Sequence, residues 1–336
     1  MSHRQSLKLS PNRSNTKFPI SNGPFVLVLF GPTAVGKTAL LQSCLSGTAE
    51  VISADSMQVY RRMNIGTAKP EALDVERLPH HLIDIRNPDE HFDLGDFVPL
   101  VDETVREIAA RDRIPVVAGG TAFYLQGYLY GLPNTPEGDP AVRAGIEERL
   151  ASHGLESLRG ELESIDPESN ARIEKNDAYR VVRALEVYRV SGRPLSSFSE
   201  PKEIRPGLNA VVVGLFRDRE ELYRRINARV DRMMRDGLPE EVANLIGADY
   251  GIGDPGMRAI GYREFLEFPA GPPWTATHLG EIARRISRDT RRYAKRQMTF
   301  FRRLPDIRWI HADDTEAFLR LLTAYSAFRH TSRSIR

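Results

Sequence analysis

Six consecutive apolar residues, Phe25–Phe30, follow a polar start, and a glycine-rich stretch then leads into the apolar helix formers Ala39, Leu40 and Leu41. A continuous apolar run of this length suits a strand buried on both faces, as in a parallel sheet. The same signature recurs at residues 114–118 and 210–216, with a shorter run at 51–53 and strand-like stretches at 81–85 and 308–311. Between these runs the apolar positions change to helical spacing. Within 96–112 they fall at Phe97, Leu100, Val101, Val105 and Ile108, one face of a helix covering the sheet. Segments 141–152, 155–165 and 178–190 are helical by the same test, and no strand-like run separates them.

Strands alternating with helices predict an α/β fold, and the unbroken helical stretch predicts an insertion in it. The expected organisation is a disordered tail at 1–23, a core built from 24–138 and 207–312, a helical insertion at 139–206, and a C-terminal helix and tail at 313–336.

Composition narrows this picture. The 336 residues are 41% hydrophobic and 27% charged, ordinary for a soluble globular chain of about two domains. No apolar run approaches the roughly 18 residues that suggest a membrane helix, so no membrane role is expected. Cys44 is the single cysteine, which excludes an internal disulfide and a cysteine-based zinc site. Its place after the glycine loop suits a packed thiol. The net charge of +2 means that nucleic-acid binding has to rest on local clusters. Residues 1–22 are basic and rich in Ser, Asn and Pro, with no acid and poor amphipathicity, which favours disorder over an organelle transit peptide.

The chemistry begins where the first strand ends. Gly31, Pro32, Thr33, Ala34, Val35, Gly36, Lys37 and Thr38 complete G-x-x-x-x-G-K-[ST] between a strand and a helix, the P-loop arrangement. Its glycines let successive backbone N–H groups converge on an anion. The helix N-terminus adds partial positive charge, Lys37 adds a cation, and the Thr38 hydroxyl can join a magnesium shell. A diphosphate or triphosphate ligand follows.

In a parallel sheet the ends of the later strands share this rim. Asp55 follows the second strand and is open to three roles: magnesium ligand, general base or helix N-cap. Thr121 follows Gly119-Gly120 after the 114–118 strand and is either a cap or a ligand hydroxyl. His80 and His81 lack a metal-ligand partner spacing and are read as structural. Arg225 and Arg229 lie four apart on one helical face, where an arginine fork reaching the P-loop would hold a phosphate. Over 281–303, Arg284, Arg288, Arg291 and Lys295 share one face and Arg285, Arg292 and Arg296 flank it, while Ile282, Ile286 and Tyr293 face inward. That cluster predicts nucleic-acid contact.

Taken together, GPTAVGKT, ISADSMQVYRRMNIGTAKP, HHLIDI and PVVAGGTAFYL resemble successive motifs of the tRNA dimethylallyltransferases, also called tRNA isopentenyltransferases. Asp139-Pro-Ala-Val-Arg143, Asp177-Ala-Tyr-Arg180-Val-Val-Arg183, Ala259-Ile-Gly-Tyr-Arg263-Glu and Tyr293-Ala-Lys-Arg-Gln297 continue the likeness through about residue 312. Val35 stands where many members have Ser, Glu174-Lys175 where His-Pro is usual, and Phe300-Phe301 where Thr-Trp-Phe or similar is common, a change within aromatic packing.

The resemblance implies a P-loop NTPase-like parallel sheet flanked by helices, with an all-helical insertion beside tRNA. It implies transfer of a dimethylallyl group from dimethylallyl diphosphate to N6 of the adenosine just 3′ of the anticodon. The implied cofactor is Mg²⁺, held in part by Thr38. The implied catalytic residues are Asp55 as base, Thr121, and Arg229 as pyrophosphate clamp in preference to Arg225. Ser56, Met57 and Gln58 would read the base with Asp55 and Thr121. The anticodon stem-loop would be held by Arg143, by Tyr179, Arg180, Val181, Val182 and Arg183, and by Arg258, Ala259, Ile260, Gly261, Tyr262 and Arg263, together with the basic helix. A cytoplasmic monomer is expected. A small-molecule kinase has no use for the insertion or the basic helix, and the same two features disfavour a prenyltransferase of free adenine nucleotides. A non-catalytic, nucleotide-gated RNA-binding module is disfavoured by Asp55 beside an intact P-loop.

Overall fold

The apolar runs become strands β1 (Phe25–Phe30), β2 (Ala49–Ala54), β3 (His80–His81), β4 (Ile114–Gly119), β5 (Asn209–Phe216) and β6 (Arg308–His311). They form one sheet in the order β3-β2-β4-β1-β5-β6, and every pair is parallel. The register sets Phe30 beside Gly119 and Gly214, and Ala54 beside Gly119. Four strands therefore end on one rim. The computed structural model describes residues 23–198, 201, 203–305 and 307–333, with side chains through 324. The disordered tail expected at 1–23 lies outside these residues except for Gly23, as do the last three residues.

Twelve helices accompany the described strands: α1 (Lys37–Leu45), α2 (Ala72–Arg77), α3 (Leu94–Ala110), α4 (Ala122–Tyr130), α5 (Pro140–Ile165), α6 (Pro167–Arg172), α7 (Ala178–Ser191), α8 (Arg219–Arg235), α9 (Leu238–Ile246), α10 (Arg263–Leu266), α11 (Ala276–Phe301) and α12 (Thr315–Arg333). No helix among the described residues is long and apolar enough to cross a membrane. Helix α3 begins ahead of the apolar pattern because Asp93 caps it, accepting from Gly95 and Asp96 N–H while Asp96 caps in return.

The third strand is shorter than the sequence predicts. Residues 81–85 were expected to pair, but Leu82 and Asp84 adopt φ of 59° and 57° and turn the chain out of the sheet after His81. Ile85 N–H instead bonds Val59 O at 2.8 Å, in the loop after β2. His81 Nε2 lies 2.7 Å from Glu50, and His80 Nδ1 lies 2.7 Å from Leu78 O, the structural use expected of both.

The chain divides into two compact units, one from Met1–Leu125 with Pro206–Arg336, the other Gln126–Arg205. The second unit opens inside α4, ahead of the 139–206 insertion. Its exit closes on that helix: Arg205 N–H bonds Leu129 O at 2.8 Å, and the Arg205 guanidinium lies 4.7 Å from the Tyr128 ring centre. Within this unit Ile146, Leu158, Leu162, Val181 and Leu185 form a separate core. Its two expected first helices run together as α5, broken at Gly154 with φ 76°. Asp177 caps α7 through Arg180 N–H, and its own N–H bonds Glu174 O at 3.0 Å, closing the turn that carries the unusual Glu174-Lys175.

In the larger unit the sheet core includes Leu27, Leu29, Val116, Val213 and Leu215. Phe301, at the end of α11, stacks on Phe30 with ring centres 4.4 Å apart. This contact seats the basic helix against the sheet.

Candidate active site

The P-loop leaves β1 through Gly31, where a Cβ would fall 2.8 Å from Leu215 O, and enters α1 through Gly36 at φ 114°. A side chain fits neither position, so the two glycines allow the loop to curl. Lys37 folds back over the loop, donating to Gly31 O at 2.9 Å and Pro32 O at 3.2 Å. From α8, Arg229 Nη1 donates to Thr33 Oγ1 at 3.2 Å. Arg225, one turn earlier on the same face, pairs with Glu221 at 3.1 Å, and its Nη1 stands 3.8 Å from where a Cβ on Gly36 would be.

Asp55 directly follows β2, and its Oδ1 accepts Met57 N–H at 3.0 Å. Residues 56–59 are turns, so this contact two residues on is an Asx turn and the helix-cap role does not apply. Burial raises the Asp55 pKa, while Met57 N–H, Lys37, Gln58 N–H and Arg229 draw it back down. Lys37 feels the converse: burial and the Arg229 charge pull it down to about 8, against the pull of Asp55. Burial likewise lowers Arg229, opposed by Asp55. One carboxylate and two cations thus share a desolvated site beside the phosphate loop.

Thr121 joins the ends of β4 and β2. Its N–H donates to Ala54 O at 3.1 Å, and its Oγ1 accepts Ser56 N–H at 2.9 Å and donates to Ser56 Oγ at 3.2 Å. Its carbonyl accepts the first α4 bond, from Leu125 N–H at 3.2 Å, so it starts the helix while its hydroxyl works across the site.

Two side chains on α11 complete the site, Gln297 and Tyr293, which the sequence marks only as part of a family motif and, for Tyr293, as inward-facing. Gln297, 3% exposed, accepts Thr33 N–H at 3.0 Å and donates to Gly120 O at 2.7 Å, bridging the P-loop and the β4 turn. One turn earlier, Tyr293 is hydrogen-bonded with Thr121 and Gln297, and burial and the Asp55 charge push its pKa up to about 12. A glutamine on the apolar face of a basic helix was the available signal, since a polar group there needs buried partners. Arg217 is a third such residue: its Nε donates to Val35 O at 3.1 Å, and Asp313 holds the guanidinium at 2.7 Å. Nothing local in the sequence marks it.

Several residues expected at tRNA are interior. Val181 and Val182 are 0% and 2% exposed in the helical core, because they occupy the inward face of α7. Ala259, Gly261 and Tyr262 are buried as well, and Tyr262 OH donates to Glu241 at 2.6 Å. The side chains of Val181, Val182, Ala259 and Tyr262 pack inside and present no binding surface, and Gly261 has none to offer. Ile260 is half-buried, and Arg258 is exposed but tied to Gly253 O at 2.8 Å. In the helical unit Arg143 stacks 5.2 Å from the centre of the exposed Tyr179 ring. Arg180 pairs with Asp177 at 2.8 Å, and Arg183 with the buried Glu186 at 2.7 Å.

The arginines of α11 are unequal. Arg284 pairs with Glu281 at 2.7 Å, Arg288 grips Asp289 with two bonds of 2.9 Å, and Arg291 bonds Asn227 at 2.6 Å. Arg263 lies 3.8 Å from the same Asp289. Among the described residues no carboxylate pairs with Lys295, Arg296 or Arg303. With Arg292, Thr299 and Phe300 they line a cavity of about 370 Å³.

The family model described as IPP transferase matches residues 58–304. A tRNA dimethylallyltransferase of Bacillus cytotoxicus is 42% identical over 302 residues, covering 88% of this chain and 93% of that protein. A tRNA dimethylallyltransferase 1 of Citrifermentans bemidjiense is 45% identical over 289 residues, with 85% and 91% covered. Among solved structures, the full-length tRNA isopentenylpyrophosphate transferase of Bacillus halodurans superposes with a TM-score of 0.63 at 34% identity, over 93% of this chain and 98% of that one. A eukaryotic dimethylallyltransferase acting on tRNA gives 0.72 at 27% identity, over 92% and 80%.

Proposed function

The chain belongs to the IPP transferase family, and on that premise we propose that it transfers a dimethylallyl group from dimethylallyl diphosphate to N6 of the adenosine just 3′ of a tRNA anticodon. The observation that carries this reading is the meeting of Asp55, Lys37 and Arg229 at the P-loop, with Thr121 bonded to the residue after Asp55.

An adenine amine is a poor nucleophile because its lone pair is delocalised into the ring. As the N6–C bond forms and the C–O bond to diphosphate breaks, Asp55 takes the N6 proton. Negative charge gathers on the departing oxygen, where Lys37, Arg229 and the loop N–H groups stabilise it. Thr121 orients the acceptor, and the target base leaves its stack to reach the rim.

The residues present suit Mg²⁺. The exposed Thr38 hydroxyl makes no hydrogen bond among the described residues, and no cluster of three His, Cys, Asp or Glu side chains there could hold a metal alone. Such an ion would be shared between Thr38 and the diphosphate oxygens and would offset the charge of the leaving group.

The stem-loop phosphates run along α11, and the exposed Tyr179 with Arg143 and Arg180 supplies contacts from the helical unit. Cations already neutralised inside the protein release fewer counterions on binding. Replacing Lys295, Arg296 and Arg303 with Ala should therefore lower the log–log salt slope of tRNA binding by roughly 0.7–0.9 per lost contact. The Arg284, Arg288 double variant should change it less, and neither should alter affinity for dimethylallyl diphosphate. Equal slopes in the two variants would remove Lys295, Arg296 and Arg303 from the interface.

The reaction itself is tested by mass spectrometry of tRNA nucleosides after incubation with the protein, dimethylallyl diphosphate and Mg²⁺. N6-dimethylallyladenosine is expected without ATP. Turnover that requires ATP and releases ADP, with no prenylated nucleoside, would turn the reading to a kinase.

A further inference from the structure

The amide of Gln58 is held in one sense. Its Nε2 donates to Thr67 O at 3.2 Å and Ala68 O at 3.1 Å, and its Oε1 accepts Ser53 Oγ–H at 2.9 Å. A flipped amide would set its oxygen against two carbonyl oxygens, so the carbonyls dictate the orientation. Both amide hydrogens are then engaged, and one oxygen lone pair remains. In this state Gln58 offers a base an acceptor only. It can take an exocyclic N–H of adenine but cannot make the two-bond pairing that a free glutamine makes with that base.

Within their loop Thr67 Oγ1 donates to Met63 O at 2.6 Å and Ala68 N–H to Ile65 O at 3.0 Å, and the loop is gripped at residues 64–66 by a carboxylate more than 170 residues later in the chain. Glu241 of α9 accepts the backbone N–H groups of Asn64 at 2.9 Å, Ile65 at 2.9 Å and Gly66 at 3.2 Å, together with Tyr262 O–H at 2.6 Å. Successive amides converging on one anion form a nest. Gly66 lies so close to Tyr262 that a Cβ there would fall 2.4 Å from the ring. Lys69 ties the far end of the loop, bonding Asn64 Oδ1 at 2.9 Å and Asp84 at 2.6 Å.

We propose that Glu241 is a positioning residue that sets the hydrogen-bond polarity of Gln58, and so makes the site select an RNA base that presents an N–H donor. This rests on the reading of Gln58 as a base-contacting residue. Glu241 touches neither substrate; it acts through the loop of residues 64–68. Both of its oxygens accept backbone N–H groups, so in Glu241→Gln the new NH₂ opposes an N–H donor whichever way it turns. The loop then loosens and the Gln58 amide is freed to rotate.

The test uses a stem-loop RNA with adenosines on both sides of the target, each replaced in turn by purine riboside, which lacks the exocyclic amine. With the wild-type protein one replacement should lower kcat/KM about tenfold, the scale of one hydrogen bond. Glu241→Gln should bring that ratio close to one, while its affinity for dimethylallyl diphosphate, measured by calorimetry, stays at the wild-type value. Tyr262→Phe removes one of the four donors to Glu241 and should give an intermediate ratio. A Glu241→Gln protein that binds diphosphate normally and keeps the full ratio overturns the proposal. If that variant does not bind diphosphate, Tyr262→Phe decides, a reduced ratio supporting the proposal and a wild-type ratio overturning it. Gln58→Ala separates the two layers: a full ratio there removes Gln58 as the base contact, whereas its loss there with retention in Glu241→Gln rejects Glu241 alone.

Discussion

Asp55→Asn should slow dimethylallyl transfer by roughly 10²- to 10⁴-fold while leaving the affinities for tRNA and dimethylallyl diphosphate nearly unchanged. Asparagine keeps the shape and can still accept Met57 N–H, so the Asx turn at the end of β2 survives. What it lacks is a site for the N6 proton. The surroundings suit a base: burial lifts the Asp55 pKa, and Met57 N–H, Lys37 and Arg229 oppose that rise by favouring the carboxylate. The acid limb of kcat/KM therefore lies above the ordinary aspartate range, with activity lost as pH falls and Asp55 takes up its proton. A magnesium titration decides between base and metal ligand. Recovery of Asp55→Asn at high Mg²⁺ would move Asp55 to the metal shell; an unchanged deficit keeps it as the base.

Removing Lys37 or Arg229 should be comparably severe, with each alanine variant losing on the order of 10²–10³ in turnover, the scale of one donor to a developing oxyanion. Each should also weaken diphosphate binding, because each removes a charge-assisted contact. Wild-type rates in both variants at saturating substrates would refute the assignment. The pH profile separates the two residues. Lys37 titrates at about 8, whereas arginine stays charged throughout the working range. Lys37 is charged below that value, so kcat/KM for dimethylallyl diphosphate, which reports the free enzyme, should fall above about pH 8. The limb in kcat should lie higher, since bound diphosphate favours the protonated amine. In Lys37→Ala the alkaline limb near pH 8 should disappear, while Arg229→Ala should retain a limb and shift it upward, because Arg229 is one of the charges that lowers Lys37. A limb near pH 8 that persists in Lys37→Ala would belong to another group.

Most of the architecture was legible before the fold was known. Runs at Phe25–Phe30 and residues 210–216 are apolar at every position because a parallel strand is covered on both sides, and both became central strands. The third strand is shorter than the polarity of residues 81–85 predicts, because the positive φ at Leu82 and Asp84 turns the chain toward the loop after β2, where Ile85 N–H bonds Val59 O. Val181 and Val182 show the other kind of error. Helical spacing already sets Arg180 and Arg183 on one face and Val181 with Leu185 on the opposing apolar stripe, whereas the run of residues implied by the resemblance takes in both faces.

By itself the sequence determined the order of strands and helices, the phosphate loop and the rim on which Asp55 and Thr121 would stand. These depend on periodicity, on glycine at two backbone positions, and on the common direction of parallel strands, all properties of short segments. The tertiary structure decided which polar groups satisfy one another. Gln297 reaches Thr33 and Gly120, Glu241 gathers the amides of residues 64–66, and Arg217 holds Val35 O, each across more than 170 residues of chain. The pairing of Arg284 with Glu281 and of Arg288 with Asp289, by contrast, is local to one helix. A hydrogen bond or ion pair depends on distances of about 3 Å, and between residues so far apart in sequence only the completed fold sets them.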